Sequence, residues 1–324
     1  NSLYKAGEQA FISLFNGIED QDKFRFSGIF RSVYLLERDE RHIRDIKITT
    51  AIRGGRAEIG AEWSFSRPGA ETAVGYALLS PEGERLAEGE ASGGGLCLTV
   101  DGPRLWTAET PELYTLLLHC GTEYIAQRVG IREVRIAEDL SVRVNGQSVT
   151  FNGVNRHDSD PATGSACSRE QLLRDLLMMK AHNINAIRTS HYPPQPEMLE
   201  LCDELGFYVI DEAGIESHGT EALYGAEAQI GRLADDERFR EAILDRVRSM
   251  VLRDRNHACV LIWSMGNESG YGRNFAEALS WTKRTDHSRL THYESSIWPY
   301  RDGEYDMSCL VLYSRMYPSL ELIE

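Results

Sequence analysis

The sequence predicts a multidomain chain in which an immunoglobulin-like β-sandwich precedes an incomplete (β/α)₈ barrel. Two observations carry this. Residues 39–137 hold short runs that alternate apolar and polar positions between turn clusters, the pattern of strands that bury one face. From residue 138 the pattern becomes strand, loop, helix, repeated, which calls for a parallel sheet with helices outside it.

In the sandwich region the strand candidates include Ile46-Lys47-Ile48-Thr49-Thr50-Ala51, residues 73–79, Leu96-Cys97-Leu98-Thr99-Val100 and residues 113–118. Turns are marked by Arg53-Gly54-Gly55, Pro81-Glu82-Gly83 and Gly93-Gly94-Gly95. Several short strands at this spacing suit a sandwich. Nothing in the region gathers catalytic residue types, so it reads as scaffold. Residues 1–38 contain two strand-like runs, 10–15 and 33–36, around the polar loop Glu19-Asp20-Gln21-Asp22. That is too little for a core, and it reads as the tail of a β-domain. The chain begins at Asn1 rather than Met, so the natural N-terminus is expected upstream.

In residues 138–324 the strand candidates are 149–154, 186–189, 208–211, 260–263, 290–293 and 309–313. Helical spacing opens at Ser168, a natural N-cap before Leu172, Leu173, Leu176 and Leu177, and recurs over 236–254. A doubly wound sheet would also fit this alternation, but no glycine-rich phosphate loop follows the first strand. A barrel fits better because polar residues cluster directly after strands.

The totals narrow the function. With 324 residues there is room for two or three domains. A net charge of −15 argues against nucleic acid or anionic lipid as partner. No apolar run reaches the roughly 20 residues of a membrane span. The six cysteines lie far apart with no CxxC pair, which favours a reducing compartment and makes a cytoplasmic location the expectation. Cys202 and Cys259 sit among apolar neighbours and read as core thiols.

Four strand ends carry the chemistry. After the first comes Asn152-Gly153-Val154-Asn155-Arg156-His157-Asp158, and after the second Arg188-Thr189-Ser190-His191-Tyr192-Pro193. After the third comes Asp211-Glu212-Ala213-Gly214-Ile215-Glu216-Ser217-His218, and after the fourth Met265-Gly266-Asn267-Glu268. A single histidine there would usually be a structural hydrogen-bonder. In a barrel, however, all four clusters emerge on one face. Glu268 would then be a carboxyl at the rim of a core, where burial favours a proton donor; a solvated Glu beside a capping Asn is the alternative. Glu216 and His218 are two apart and share a side in extended backbone. They form half a divalent-cation site or a hydrogen-bonded surface pair.

Longer blocks carry a resemblance. Asn185-Ala186-Ile187-Arg188-Thr189-Ser190-His191-Tyr192-Pro193 with residues 202–212 resembles one signature of the family 2 glycoside hydrolases. Asp254-Arg255-Asn256-His257 through Trp263-Ser264-Met265-Gly266-Asn267-Glu268 resembles the other. Phe151-Asn152-Gly153-Val154-Asn155-Arg156-His157 and Ser27-Gly28-Ile29-Phe30-Arg31 belong to the same pattern, and within the family the large bacterial β-galactosidases are most similar.

The resemblance implies that residues 1–38 end a sugar-binding jelly-roll domain and that the activity is retaining hydrolysis of terminal β-D-galactose. It implies Glu268 as acid/base and Asn267 as partner of the sugar 2-hydroxyl. Glu216, His218 and Glu268 would hold Mg²⁺. Asp22 would bind a sugar hydroxyl and help hold Na⁺. Arg188 would sit beside the nucleophile, His157 and His191 would contact galactose, and Tyr317 would lie near the nucleophile. That nucleophile, a Glu after the seventh strand in a Cys-Glu-Tyr-like block, is absent from the 324 residues. Gly214 stands where Asn is usual, and Asp158-Ser159-Asp160 replaces a histidine-rich run.

The expectation is therefore a β-galactosidase fragment that is inactive or nearly so alone and self-associates through open barrel edges. The parent would be a homo-oligomer. β-Glucuronidase and β-mannosidase are the alternatives within the family, and a non-catalytic sugar-binding or assembly subunit is the alternative outside it.

Overall fold

The computed structural model describes residues 29–69, 72–219, 230–301, 305–316 and 318–319. Among the described residues seven strands form the sandwich. One sheet pairs β1 (Ile43–Arg53), β2 (Arg56–Phe65) and β5 (Gly95–Asp101), all antiparallel. The other runs β4 (Arg85–Ala91), β3 (Val74–Leu79), β6 (Tyr114–Cys120), β7 (Glu123–Val129). Alternation sets the faces. Ala57, Ile59, Ala61 and Trp63 of β2 point inward, and so do Tyr114, Leu116, Leu118 and Cys120 of β6. The β1–β2 hairpin turns on Gly54 and Gly55 at φ 58° and 82°. Two consecutive left-handed residues are what a tight hairpin of the right twist demands.

A small antiparallel sheet of β8 (Val134–Ile136), β9 (Val142–Val144) and β10 (Gln147–Ser148) leads into the barrel region. Five parallel strands follow: β11 (Gly153–Arg156), β12 (Ala186–Thr189), β13 (Tyr208–Glu212), β14 (Val260–Ser264) and β15 (Leu290–His292). Between them run α1 (Arg169–Ala181), α2 (Pro196–Leu205), α3 (Arg232–Asp235), α4 (Arg240–Asp254) and α5 (Arg273–Thr285). The strands lie side by side in chain order. A doubly wound sheet reverses order at a switch point; here each strand adds on the same side, as in a barrel wall. Ser168 caps α1 in a full capping box with Gln171. Leu172 and Leu176 are buried in it, whereas Leu177 is exposed.

Three segments differ from the sequence reading. β11 begins at Gly153 rather than Val149, because Asn185 holds 150–152 outside the ladder through bonds to Asn152 N (2.8 Å) and Thr150 O (3.0 Å). Residues 309–313 form no strand. They touch β15 through Val311 N to Thr291 O (3.2 Å) and Thr291 Oγ1 to Cys309 O, too little for a ladder. Among the described residues the parallel sheet thus has five strands, not the expected six. Residues 33–36 are exposed and unpaired in any sheet. Residues 1–28 of the proposed jelly-roll tail, including the run 10–15 and Asp22, lie outside the described residues, as does Tyr317.

The sandwich is fastened to the bottom of the barrel wall. Asn256 bonds the free edge of β1 twice, with Ile48 N and Ile46 O both at 2.9 Å. Arg132 donates to Ala258 O and Val260 O, each at 2.7 Å, where β14 starts. Burial, with Arg289 nearby, lowers its pKa to about 9. Fully buried Trp106 donates its indole N–H to Asp203 O at 2.9 Å. Arg255 adds a bond to Asp45 Oδ2 of β1 at 2.6 Å, so Arg255 and Asn256, which lie in the block that ends at Glu268, serve the docking. Cys202 and Cys259 are buried core thiols, and burial pushes both pKa values up.

Candidate active site

With the sandwich below, the C-terminal strand ends are left to carry chemistry. β14 is buried along its whole length and ends at Ser264. The chain turns at Gly266, φ 144°, where a Cβ would come within 2.8 Å of Ile215 O. Asn267 then donates its N–H to Ile215 O at 2.9 Å and bridges Glu216 in parallel register. Its Nδ2 donates to Glu216 Oε2 at 2.6 Å, and its Oδ1 accepts from Arg188 Nη2 at 2.9 Å. The amide is fixed at both ends. Glu268 follows at φ 34°, with Oε2 2.5 Å from His218 Nδ1.

The residue that organises this end is one the sequence reading passed over. Glu212 is fully buried. Its Oε2 accepts from Arg188 Nε at 2.6 Å and Ser264 Oγ at 2.8 Å, and its Oε1 lies 2.7 Å from His191 Nδ1. Its own N–H donates to Thr189 Oγ1 at 2.9 Å. Register explains the convergence. Asn155 pairs Arg188, Arg188 pairs Ile210 two residues before Glu212, Glu212 pairs Ser264, and Ser264 pairs His292. Since side chains alternate, these five polar residues form one inward-facing row. The neighbour Asp211 faces the other way, toward Asp254 of α4, where burial and that second carboxyl raise its pKa.

His292 ends the row, buried, with Nδ1 3.0 Å from Ser264 Oγ. Burial lowers its pKa from 6.5 to about 4. A depressed histidine favours the fold while neutral. Its contribution is present above pH 6.5 and lost as pH falls toward 4, by at most about 3 kcal/mol. Chemical denaturation of the chain at pH 7 and pH 4.5 is expected to show this loss, and His292→Asn is expected to flatten it.

Of the residues singled out from sequence, Arg188, His191, Glu216, His218, Asn267 and Glu268 share one bonded cluster. His157 joins through its ring, 5.6 Å from that of His191. Glu216, His218 and Glu268 present two carboxylates and an imidazole at the same rim, a donor set suited to a cation that keeps part of its water. A second cluster, Asp203, His257 and Cys259, lies at the opposite end. Its Asp203 is already used, by His257 Nδ1 at 2.6 Å and Cys259 N at 2.7 Å. Burial keeps the Cys259 thiol protonated, whereas a metal ligand must be thiolate. That cluster is a structural knot.

The model for glycosyl hydrolases family 2, TIM barrel domain, matches residues 134–324, and that for glycosyl hydrolases family 2 matches residues 41–132. The chain belongs to glycosyl hydrolases family 2. As a family 2 chain it is 44% identical to a β-galactosidase of Actinobacillus pleuropneumoniae, over 95% of its length and 32% of the relative's. It is 40% identical to a β-galactosidase of Staphylococcus xylosus, over 95% of its length and 31% of the relative's. The chain thus spans about a third of the length of these relatives. Among solved structures it resembles a Ruminococcus gnavus β-glucuronidase in complex with N1-substituted uronic isofagomine. That match has TM-score 0.66 and 26% identity, and covers 79% of this chain and 43% of the other. Bacteroides uniformis β-glucuronidase 3 shares the fold at TM-score 0.67 and 21% identity, covering 80% and 34%.

Proposed function

We propose that this chain contributes the acid/base side of a retaining β-galactosidase. The observation that carries the reading is the fixed Asn267-Glu268 pair at a strand end, tied through Asn267 to the Arg188–Glu212–His191 cluster. Glu268 protonates the glycosidic oxygen as the bond to the anomeric carbon breaks. A second carboxylate attacks that carbon, and Glu268 as carboxylate then takes a proton from the incoming water. Asn267, held at both ends, is oriented for the sugar 2-hydroxyl. His157 and His191 contact galactose and Arg188 neighbours the nucleophile; the family resemblance adds Tyr317 to the residues assigned to that carboxylate.

Glu216, His218 and Glu268 would hold Mg²⁺, whose charge favours the ionised carboxyl of Glu268. Asp22 would bind a sugar hydroxyl and share Na⁺. Chelation in the complete protein is expected to shift the pH–rate profile, and an unchanged profile would remove Mg²⁺ from the mechanism.

Galactose is favoured by the relatives at 40–44% identity, which are named β-galactosidases. The Ruminococcus gnavus likeness keeps β-glucuronidase as a second reading. A panel of nitrophenyl β-D-glycosides on the complete protein decides between them. Galactoside is expected to be the best substrate; preference for the glucuronide would replace the reading.

A further inference from the structure

Glu294 follows β15 in a single turn of 3₁₀ helix, Glu294–Ile297, and is 2% exposed. Its Oε1 accepts the backbone N–H of Glu268 at 2.6 Å, and Ser295 Oγ bonds the same oxygen. Two further bonds reach the same loop. Ser269 N donates to Ser295 Oγ at 3.3 Å, and Tyr293 Oη donates to Gly270 O at 2.8 Å. The segment after β15 thus clamps the loop after β14.

The clamp matters because Glu268 stands at φ 34°. A residue with a Cβ pays roughly 1–3 kcal/mol for such backbone and keeps it only when its surroundings over-determine it. Glu294 is itself a poor choice for stability. Its Oε2 is buried and finds no hydrogen-bond partner among the described residues. A buried carboxyl with one idle oxygen is a cost, of the kind found where geometry is needed for chemistry.

We infer that Glu294 is the positioning residue for Glu268: by holding its amide, it sets the direction in which the acid/base carboxyl leaves the backbone. This rests on Glu268 being the acid/base. Glu294 does not touch the reacting atoms.

The test uses the complete protein and two substrates, phenyl and 2,4-dinitrophenyl β-D-galactoside. Phenolate departs poorly and needs a proton; dinitrophenolate departs without one. Glu268→Ala serves as the reference. Glu294→Ala is expected to lower kcat/KM on the phenyl substrate by about tenfold more than on the dinitrophenyl substrate. Glu294→Gln, whose carbonyl can accept the same N–H, is expected to restore most of that loss. If Glu294→Ala does not fold, Glu294→Asp shortens the reach while keeping the charge and is expected to give the same selective loss. Equal losses on both substrates, or none, with Glu268→Ala still selective, would overturn the positioning role alone. Absence of selectivity in Glu268→Ala would overturn the acid/base reading and the inference together.

Discussion

Glu268→Gln in the complete protein is expected to lower kcat on nitrophenyl β-galactoside by about 10²–10⁴-fold. The amide keeps the shape and loses the proton. The fold is expected to tolerate the change, because the Glu268 carboxylate meets His218, whose side chain is 35% exposed, at the rim rather than in the core. A partly solvated pair of this kind contributes little to stability. The melting temperature is therefore expected to stay close to that of the wild type while turnover collapses. Loss of both together would point to a structural role instead.

The second large effect is expected at Glu212. Glu212→Ala leaves Arg188, His191 and Ser264 without their shared acceptor. Breaking a buried charge pair from one side costs about 3–5 kcal/mol, mostly because the remaining charge stays buried. The Arg188 side chain is 13% exposed and has neutral Asn155 and Asn267 as its other partners. Urea denaturation of this chain is expected to show a loss of that size. The effect should be far from additive with Arg188→Ala, since both remove one contact. Additive losses would mean that Glu212 acts through something other than Arg188.

Much of this site could be read from the sequence because its parts follow strands. His157, Arg188, His191, Glu216, His218, Asn267 and Glu268 each stand in or just after an apolar run, and in a barrel that placement alone gathers them. Ser168 as N-cap was equally legible, since the capping box is written in four consecutive residues. Glu212, His292 and Glu294 were not. Each earns its place through partners on a neighbouring strand or loop, and register is a tertiary fact. Asp211 and Glu212 are adjacent acids in the sequence, but alternation sends one toward α4 and the other into the barrel. The strand expected over 309–313 shows the converse error. An apolar run is compatible with a strand, yet only ladder partners make one, and those residues have a single backbone bond to β15. The task of Asn256 was equally hidden, for it lies in a block that ends in Glu268 but serves the sandwich.

Azide rescue of Glu268→Ala in the complete protein distinguishes an acid/base Glu268 from any other role. If Glu268 is the acid/base of a retaining galactosidase, the dinitrophenyl galactoside still forms the glycosyl-enzyme ester, whose breakdown then lacks its base. Azide needs no base and attacks the anomeric carbon, displacing the enzyme carboxylate. Turnover is predicted to rise with azide, and the product to be β-galactosyl azide. No acceleration by azide, or an azide product of inverted α configuration, would contradict the assignment of Glu268 and the retaining mechanism built on it.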